Sequence, residues 1–199
     1  MIAGVGERPW FRKGLFEMFV MQHLAIQDPY PAAPTEVVGF TFTEDLFLRR
    51  LKDKPTTRSG LGANFVVERD YTVCWDSPTA TGQKITVPRG MITDLASVPP
   101  VFRWLIGRVG PYLEAAVVHD FLTIAWRSLD GNGSVERRKF ADDIMLAAMK
   151  AACVGWQRPF IYGAIRAHAW ATYPKSSAPG EDHALYIDLD ASDSATRTV

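Results

Sequence analysis

The sequence predicts an α+β fold: a small antiparallel β-sheet over about residues 38–90, a helical half over about 99–173, and extensions at both ends. Segments rich in β-branched and aromatic residues, divided by turn chemistry, fill the first half. Apolar residues at helical spacing fill the second. Strands first and helices later is the order of an α+β domain rather than of an alternating α/β fold. With 199 residues, 47% hydrophobic and 12% aromatic, the chain has material for one good core.

The N-terminal stretch places Glu7, Arg8, Arg12 and Lys13 before "GLFEMFVMQHLAI". Glu17, Gln22 and His23 interrupt its apolar part and no small-residue cleavage site follows, so an amphipathic helix over about 11–26 is expected rather than a secretory signal. Its apolar face needs a cover, from its own domain or from a neighbouring subunit. "QDPYPAAPTE" then reads as a linker, because proline disfavours regular structure. The domain proper is expected over 37–174, after an arm and linker over 1–36. "FTFTEDLFLRRL", "ANFVVERDYTVCW" and "KITVP" predict three antiparallel strands, separated by "KDKPTTRSGLG" and "DSPTATGQ".

From Pro99 the pattern is helical. "PPVFRWLIG" predicts a short helix opened by proline, "PYLEAAVVHDFLTIAWR" a longer one, and "SVERRKFADDIMLAAMKAA" a third with Ser134 as its N-cap. "WQRPFIYGAIRAHAWATY" predicts a fourth over about 156–173, with Pro159 in its first turn. The remainder, 175–199, is polar and acidic and is expected to be a solvated, disordered tail.

Lys+Arg and Asp+Glu both number 22, so no strong basic field marks a general nucleic-acid binder. "RRKF" and "RSLDGNGSVERR" are short charge runs of the kind that usually form a solvated helix face. No apolar run is long enough for a membrane-spanning helix. Cys74 and Cys153 stand far apart in apolar surroundings, which suits two buried thiols rather than a disulfide framework.

Against this background, three polar residues stand out in the apolar stretch from Met91 to Trp126: Asp94, His119 and Asp120. At about 100° per residue, His119 shares a helix face with Tyr112, Ala115, Leu122, Thr123 and Trp126, while Leu113, Ala116 and Ile124 surround Asp120. Burying charge there is costly unless it is paired or metal-bound. The loop "LDGNGS" centres near Gly131, so an antiparallel hairpin sets His119 opposite residues 142 and 143. Asp142 lies on the apolar side with Met149 and Cys153, whereas Asp143 lies with Lys139 and Lys150. Asp142 is therefore expected to point inward, with Asp94 and the Ser97 hydroxyl completing the group.

Two roles fit such a group. It can be a hydrogen-bond network tying the loop "TDLAS" to the helical hairpin, or a catalytic or metal-binding site, because perturbed acids and bases gather in buried His/Asp clusters. "DGNGS" imitates the start of an EF-hand, but Val135 and Ala141 stand where glycine and glutamate are required. The "HD" pair lacks the upstream histidine of metal-dependent phosphohydrolases, His23 lying in a separate arm. "HDFLT" on a helix, with "TDLASVP" upstream and an aspartate on the next helix, looks like the layout of phospholipases A2, although their glycine-rich calcium loop and flanking disulfides are absent. That layout implies His119 as general base, Asp142 as its orienter, and Asp94 with Asp120 as calcium ligands.

"VPRGMITDLASVPP", "AAVVHDFL", "FADDIMLAAM" and "YGAIRAHAW", in this order and spacing, resemble the family catalogued as domain of unknown function 1353, which occurs in tailed phages, prophages and bacteria. The resemblance covers roughly Val37 to Tyr173 and implies a short sheet followed by a helical half. Its recurrent positions fall on Thr93, Asp94, Ala96, Ser97, Pro99, His119, Asp120, Ala141 and Asp142. Thr123 departs from it, since relatives often carry tyrosine there, and no mechanism needing that phenol carries over. The family implies context rather than a chemistry. Together with the arm, linker and tail, it leads to the expectation of an accessory structural protein of the virion, tail or neck. Such a protein would be made in the host cytoplasm and joined to other virion proteins through 1–36 and 175–199. A small hydrolase acting on lipid or cell-envelope esters during phage entry, with calcium as its ion, is the alternative.

Overall fold

A computed structural model of the protein describes residues 27–33, 35–51, 65–93, 112–130, 134–172 and 189, with backbone alone at 130 and 168–172. The amphipathic stretch 11–26, the loop residues Asp94 and Ser97, and the short helix predicted after Pro99 lie outside the described residues. Six strands are described: β1 (Gly39–Phe42), β2 (Leu48–Arg50), β3 (Phe65–Val67), β4 (Tyr71–Asp76), β5 (Gln83–Val87) and β6 (Ile92–Thr93). Three helices follow: α1 (Leu113–Asp130), α2 (Val135–Ala151) and α3 (Arg158–Thr172).

Strands before helices make the chain α+β, as its sequence predicts, but the strand count needs correction. There are two three-stranded antiparallel sheets, ordered β1-β4-β5 and β2-β3-β6. "FTFTEDLFLRRL" is not one strand: it splits at 43–47 and sends β1 to one sheet and β2 to the other. "ANFVVERDYTVCW" splits likewise, because the charged turn 68–70 turns the chain from β3 into β4. The apolar phase is the same on either side of each break, interrupted only by Glu44 in the first and Arg69 in the second, which is why the breaks are hard to see in the sequence. Gly90, at φ 85, turns the chain between β5 and β6 in a conformation that a side chain would disfavour, and its N–H donates to the Val67 carbonyl at 2.8 Å.

β4 alternates strictly, with Tyr71, Val73 and Trp75 buried and Thr72, Cys74 and Asp76 half-buried. Its inward face, with Ile85 and Val87 of β5, packs on Val117, Val118, Phe121 and Leu122 of α1 and on Phe140 and Ile144 of α2. A second cluster lies among the helices: Ala115 and Ala116 of α1, Met145, Ala148 and Met149 of α2, and Ile161 and Ile165 of α3. α2 thus has apolar neighbours on several sides, from both clusters.

Ser134 caps α2 as expected, its hydroxyl accepting from the Arg137 N–H at 3.1 Å. Tyr30, in the proline-rich stretch, is buried in the main core; its hydroxyl donates to the Leu122 carbonyl and its ring meets Phe140 edge-on. The expectation of two buried thiols does not hold. Cys74 is half-buried and Cys153 is exposed, because α2 ends at Ala151 and Cys153 takes a left-handed φ of 55 that turns the chain outward. Leu189 is also contrary to expectation, being helical and 4% exposed within a stretch read as a solvated tail. No helix among the described residues is long and apolar enough to cross a membrane.

Candidate functional site

The site is built on the middle of α2. Asp142 is 2% exposed, and both of its oxygens are engaged from other helices. Oδ1 accepts from His119 Nε2 on α1 at 3.0 Å, and Oδ2 accepts from Arg166 Nη1 on α3 at 3.0 Å. His119 itself is 6% exposed, while the Arg166 side chain is 38% exposed and reaches the carboxylate from the surface. One buried carboxylate therefore joins all three helices. Two donors, one of them cationic, offset the desolvation of the charge that burial imposes.

The hairpin geometry explains the His119 contact. α1 ends at Asp130 and α2 begins at Val135, a short connection that sets the two helices antiparallel, and His119 meets Asp142 within about one helical turn of the position that symmetry about the connection gives. Asp143, about 100° further round α2, takes a different set of partners. It accepts from Lys139 Nζ at 2.5 Å and from the Tyr162 hydroxyl at 3.0 Å. The Lys139 side chain is 61% exposed, so that ion pair contributes only tenths of a kcal/mol.

Arg166 and Tyr162 are electrostatically tied to this pair of aspartates. Burial opposes the charge on Arg166, but the hydrogen bond and charge of Asp142, with Tyr162 and Asp143 beside it, outweigh burial and raise the guanidinium pKa. Burial, then the charge and hydrogen bond of Asp143, push the Tyr162 phenol up from 10.0 to about 12, with Arg166 pulling the other way. A phenol pKa raised by folding stabilises the folded state below pH 10.0, where both states keep the proton. That contribution is lost as pH rises toward about 12, where only the folded chain still holds it. Stability should therefore fall across this alkaline window, and Tyr162→Phe should make the fall shallower in urea titrations at successive pH values. Tyr71, whose phenol is raised first by burial and then by Glu114, Glu44 and Asp45, will keep part of the slope.

Thr93 and Asp120 form a second contact, with the Thr93 hydroxyl donating to Asp120 Oδ2 at 2.5 Å. Thr93 ends β6, so this bond fastens the last strand to α1 just before the "TDLAS" loop continues. Asp120 is half-buried rather than enclosed in apolar company. Of the residues expected in one group, His119 and Asp142 touch each other and Thr93 touches Asp120, while Asp94 and Ser97 lie outside the described residues.

Sequence reasoning missed Arg166 and Tyr162. The available signal was their spacing, with Tyr162 and Arg166 four apart on one face of the helix. Calcium takes six to eight oxygens, and no group of three or more His, Cys, Asp or Glu that could hold a metal ion occurs among the described residues. Asp94, expected beside Asp120 as a calcium ligand, lies outside the described residues. What the described residues provide is an oriented imidazole: a carboxylate fixes Nε2 and thereby the plane and tautomer of the ring.

Comparison with known proteins gives one result. No curated protein and no solved structure matches the chain. A family model described as "Protein of unknown function (DUF1353)" matches residues 65–165, from β3 into the first half of α3; it takes in Thr93, His119, Asp120, Asp142 and Tyr162 and ends one residue before Arg166. The match spans more than half of the 199 residues, and the chain belongs to this DUF1353 family.

Proposed function

We propose that the protein is a phage-type accessory structural component, associated with the virion, tail or neck, in which the His/Asp cluster is scaffold rather than catalyst. The observation that carries the scaffold role is the occupancy of Asp142. With one oxygen on His119 and the other on Arg166, the carboxylate serves three helices at once. The virion setting is supported by the occurrence of the resembling family in tailed phages and by the arm, linker and tail outside the matched residues. The chain is made in the host cytoplasm and joins other virion proteins through residues 1–36 and 175–199. Deleting residues 1–26, which leaves Asp28 and Tyr30 in place, is expected to abolish incorporation into phage particles, measured by immunoblotting of purified virions. Normal incorporation of the truncated chain would sink the assembly role.

The His119–Asp142 contact favours a second function, a small esterase with His119 as general base and Asp142 as orienter. The arginine on the same carboxylate weakens that arrangement, because it draws the negative charge of Asp142 away from the imidazole. Under the scaffold role, His119→Ala should cost about 1–3 kcal/mol of stability, Arg166 still holding the carboxylate, and the wild type should not cleave a short-chain nitrophenyl ester with or without calcium. Ester cleavage by the wild type, lost in His119→Ala with folding intact, would replace the scaffold with the hydrolase.

A further inference from the structure

Surface helices ordinarily turn polar residues to water, and α3 does not. From 156 to 167 every exposed residue is apolar: Trp156, Pro159, Phe160, Gly163 and Ala167. At about 100° per residue, Pro159, Phe160, Gly163 and Ala167 fall within one arc of the helix, opposite the buried Ile161 and Ile165. Trp156, in the turn before the helix, joins them through its ring, whose centroid lies 6.1 Å from that of Phe160. Trp156 is 66% exposed and Phe160 55%, and a continuous apolar stripe of this kind marks an interaction surface. Gly163 is its odd member. Glycine destabilises a helix interior relative to alanine, and a Cβ built at this position would meet nothing within 4 Å. Nothing inside the chain calls for a glycine there, whereas a neighbour packed close against the helix does.

We propose that this stripe is a two-fold interface with a second copy of the chain, the two α3 helices lying antiparallel. Three observations select this occupant. The first is the order of sizes along the stripe. Its large residues, Trp156 and Phe160, stand at the start, and its small ones, Gly163 and Ala167, stand further on. A two-fold interface must complement itself. An axis between residues 161 and 162 sets Phe160 of each copy over Gly163 of the other, and the same axis sets Trp156 over Ala167. The glycine lets the helices meet at the short end of the usual separation of about 8–10 Å.

The second is area. At their exposures the two rings offer roughly 250 Å² per copy, and a specific interface needs at least about 500 Å² from each partner. The rings supply about half, and Pro159, Ala167 and the bare helix surface at Gly163 lie in line with them to supply the rest. The pairing is therefore small and reversible, with a Kd in the micromolar range. The third is charge. No charged residue lies on the stripe, and α3 has no Asp or Glu. Of its two arginines, Arg166 is bound to Asp142 and Arg158 stands on the far side of the helix. Two copies thus meet there without like-charge repulsion. A lipid surface would draw on free cations beside the apolar stripe, and the arginine nearest to it is already neutralised by its aspartate. The interface does not rest on a place in a virion, so either idea can fail alone.

The test is sedimentation equilibrium of the full chain from about 0.1 to 100 µM, a range that brackets micromolar association. The wild type is expected to pass from the mass of one chain, 22.2 kDa, toward that of two. Phe160→Asp and Gly163→Lys, both at exposed positions, should each weaken association at least about tenfold while keeping the circular dichroism of the wild type. Mixed in equal amounts, the two variants should pair with each other. One half of that heterodimer keeps Phe160 over Gly163, and the other sets the introduced carboxylate beside the introduced ammonium. A wild type that stays one chain throughout, the stripe being taken by the rest of the chain or by a lipid surface, overturns the proposal. A dimer that either variant leaves intact lies elsewhere on the molecule and overturns it too. A mixture that associates no better than its components would exclude the antiparallel two-fold pairing.

Discussion

Asp142→Ala is expected to lower the unfolding free energy by about 3–5 kcal/mol, the range for removing one partner of a buried charged network. The loss should fall unevenly on the two partners. Arg166 is 38% exposed and can turn to water, so losing its carboxylate costs little. The His119 side chain is only 8% exposed, and its Nε2 is left facing a cavity where an oxygen stood 3.0 Å away. Asp142→Asn keeps the shape and one acceptor oxygen, and should lose less. Asp143→Ala, one residue on, removes contacts to an exposed lysine and a half-buried tyrosine, and about 1 kcal/mol is expected. Urea unfolding followed by circular dichroism, with the m value checked for constancy, measures all three. If Asp142→Ala cost no more than Asp143→Ala, the three-helix role of the buried carboxylate would be lost.

That contrast between neighbouring aspartates was legible in the sequence, because both its causes are local. A helical wheel needs only the 3.6-residue period to put Asp142 with Met149 and Asp143 with Lys139. The contact with His119 needs one further step, that a short loop makes two successive helices antiparallel. Arg166 was not legible in this way. It reaches Asp142 from a third helix, and the angle at which that helix crosses α2 is set by how Met145, Ala148, Met149, Ile161 and Ile165 interlock, which no periodicity encodes. The strands fail for a related reason. β-Branched and aromatic residues mark extended chain, but the break at 43–47 lacks glycine and proline, and its one departure from alternation is Glu44, in the phase of Phe42 and Leu46. Glu44 is instead occupied with the Thr72 N–H of the neighbouring strand, a contact made only once the sheet is assembled.

Trp126→Ala should be nearly as damaging, at about 3–5 kcal/mol. The side chain is 2% exposed near the end of α1, and its Nε1 donates to the Ser134 carbonyl at 2.8 Å. Arg138 lies over its ring at 5.9 Å. Ser134 is the residue that caps α2, so the indole ties the last turns of α1 to the first turn of α2 across the loop. Most of the loss comes from the ring volume. Trp126→Phe, which keeps an aromatic ring, should cost only about 1–2 kcal/mol, since the Ser134 carbonyl retains the Arg138 N–H of the helix. The position matters beyond its own contacts, because the register it fixes across the loop is the register that brings His119 level with Asp142. Trp126→Phe combined with Asp142→Asn should therefore lose less than the sum of the two single changes, with a coupling of about 0.5–2 kcal/mol in a double-mutant cycle. Additive losses would mean that the indole and the buried carboxylate hold the hairpin independently.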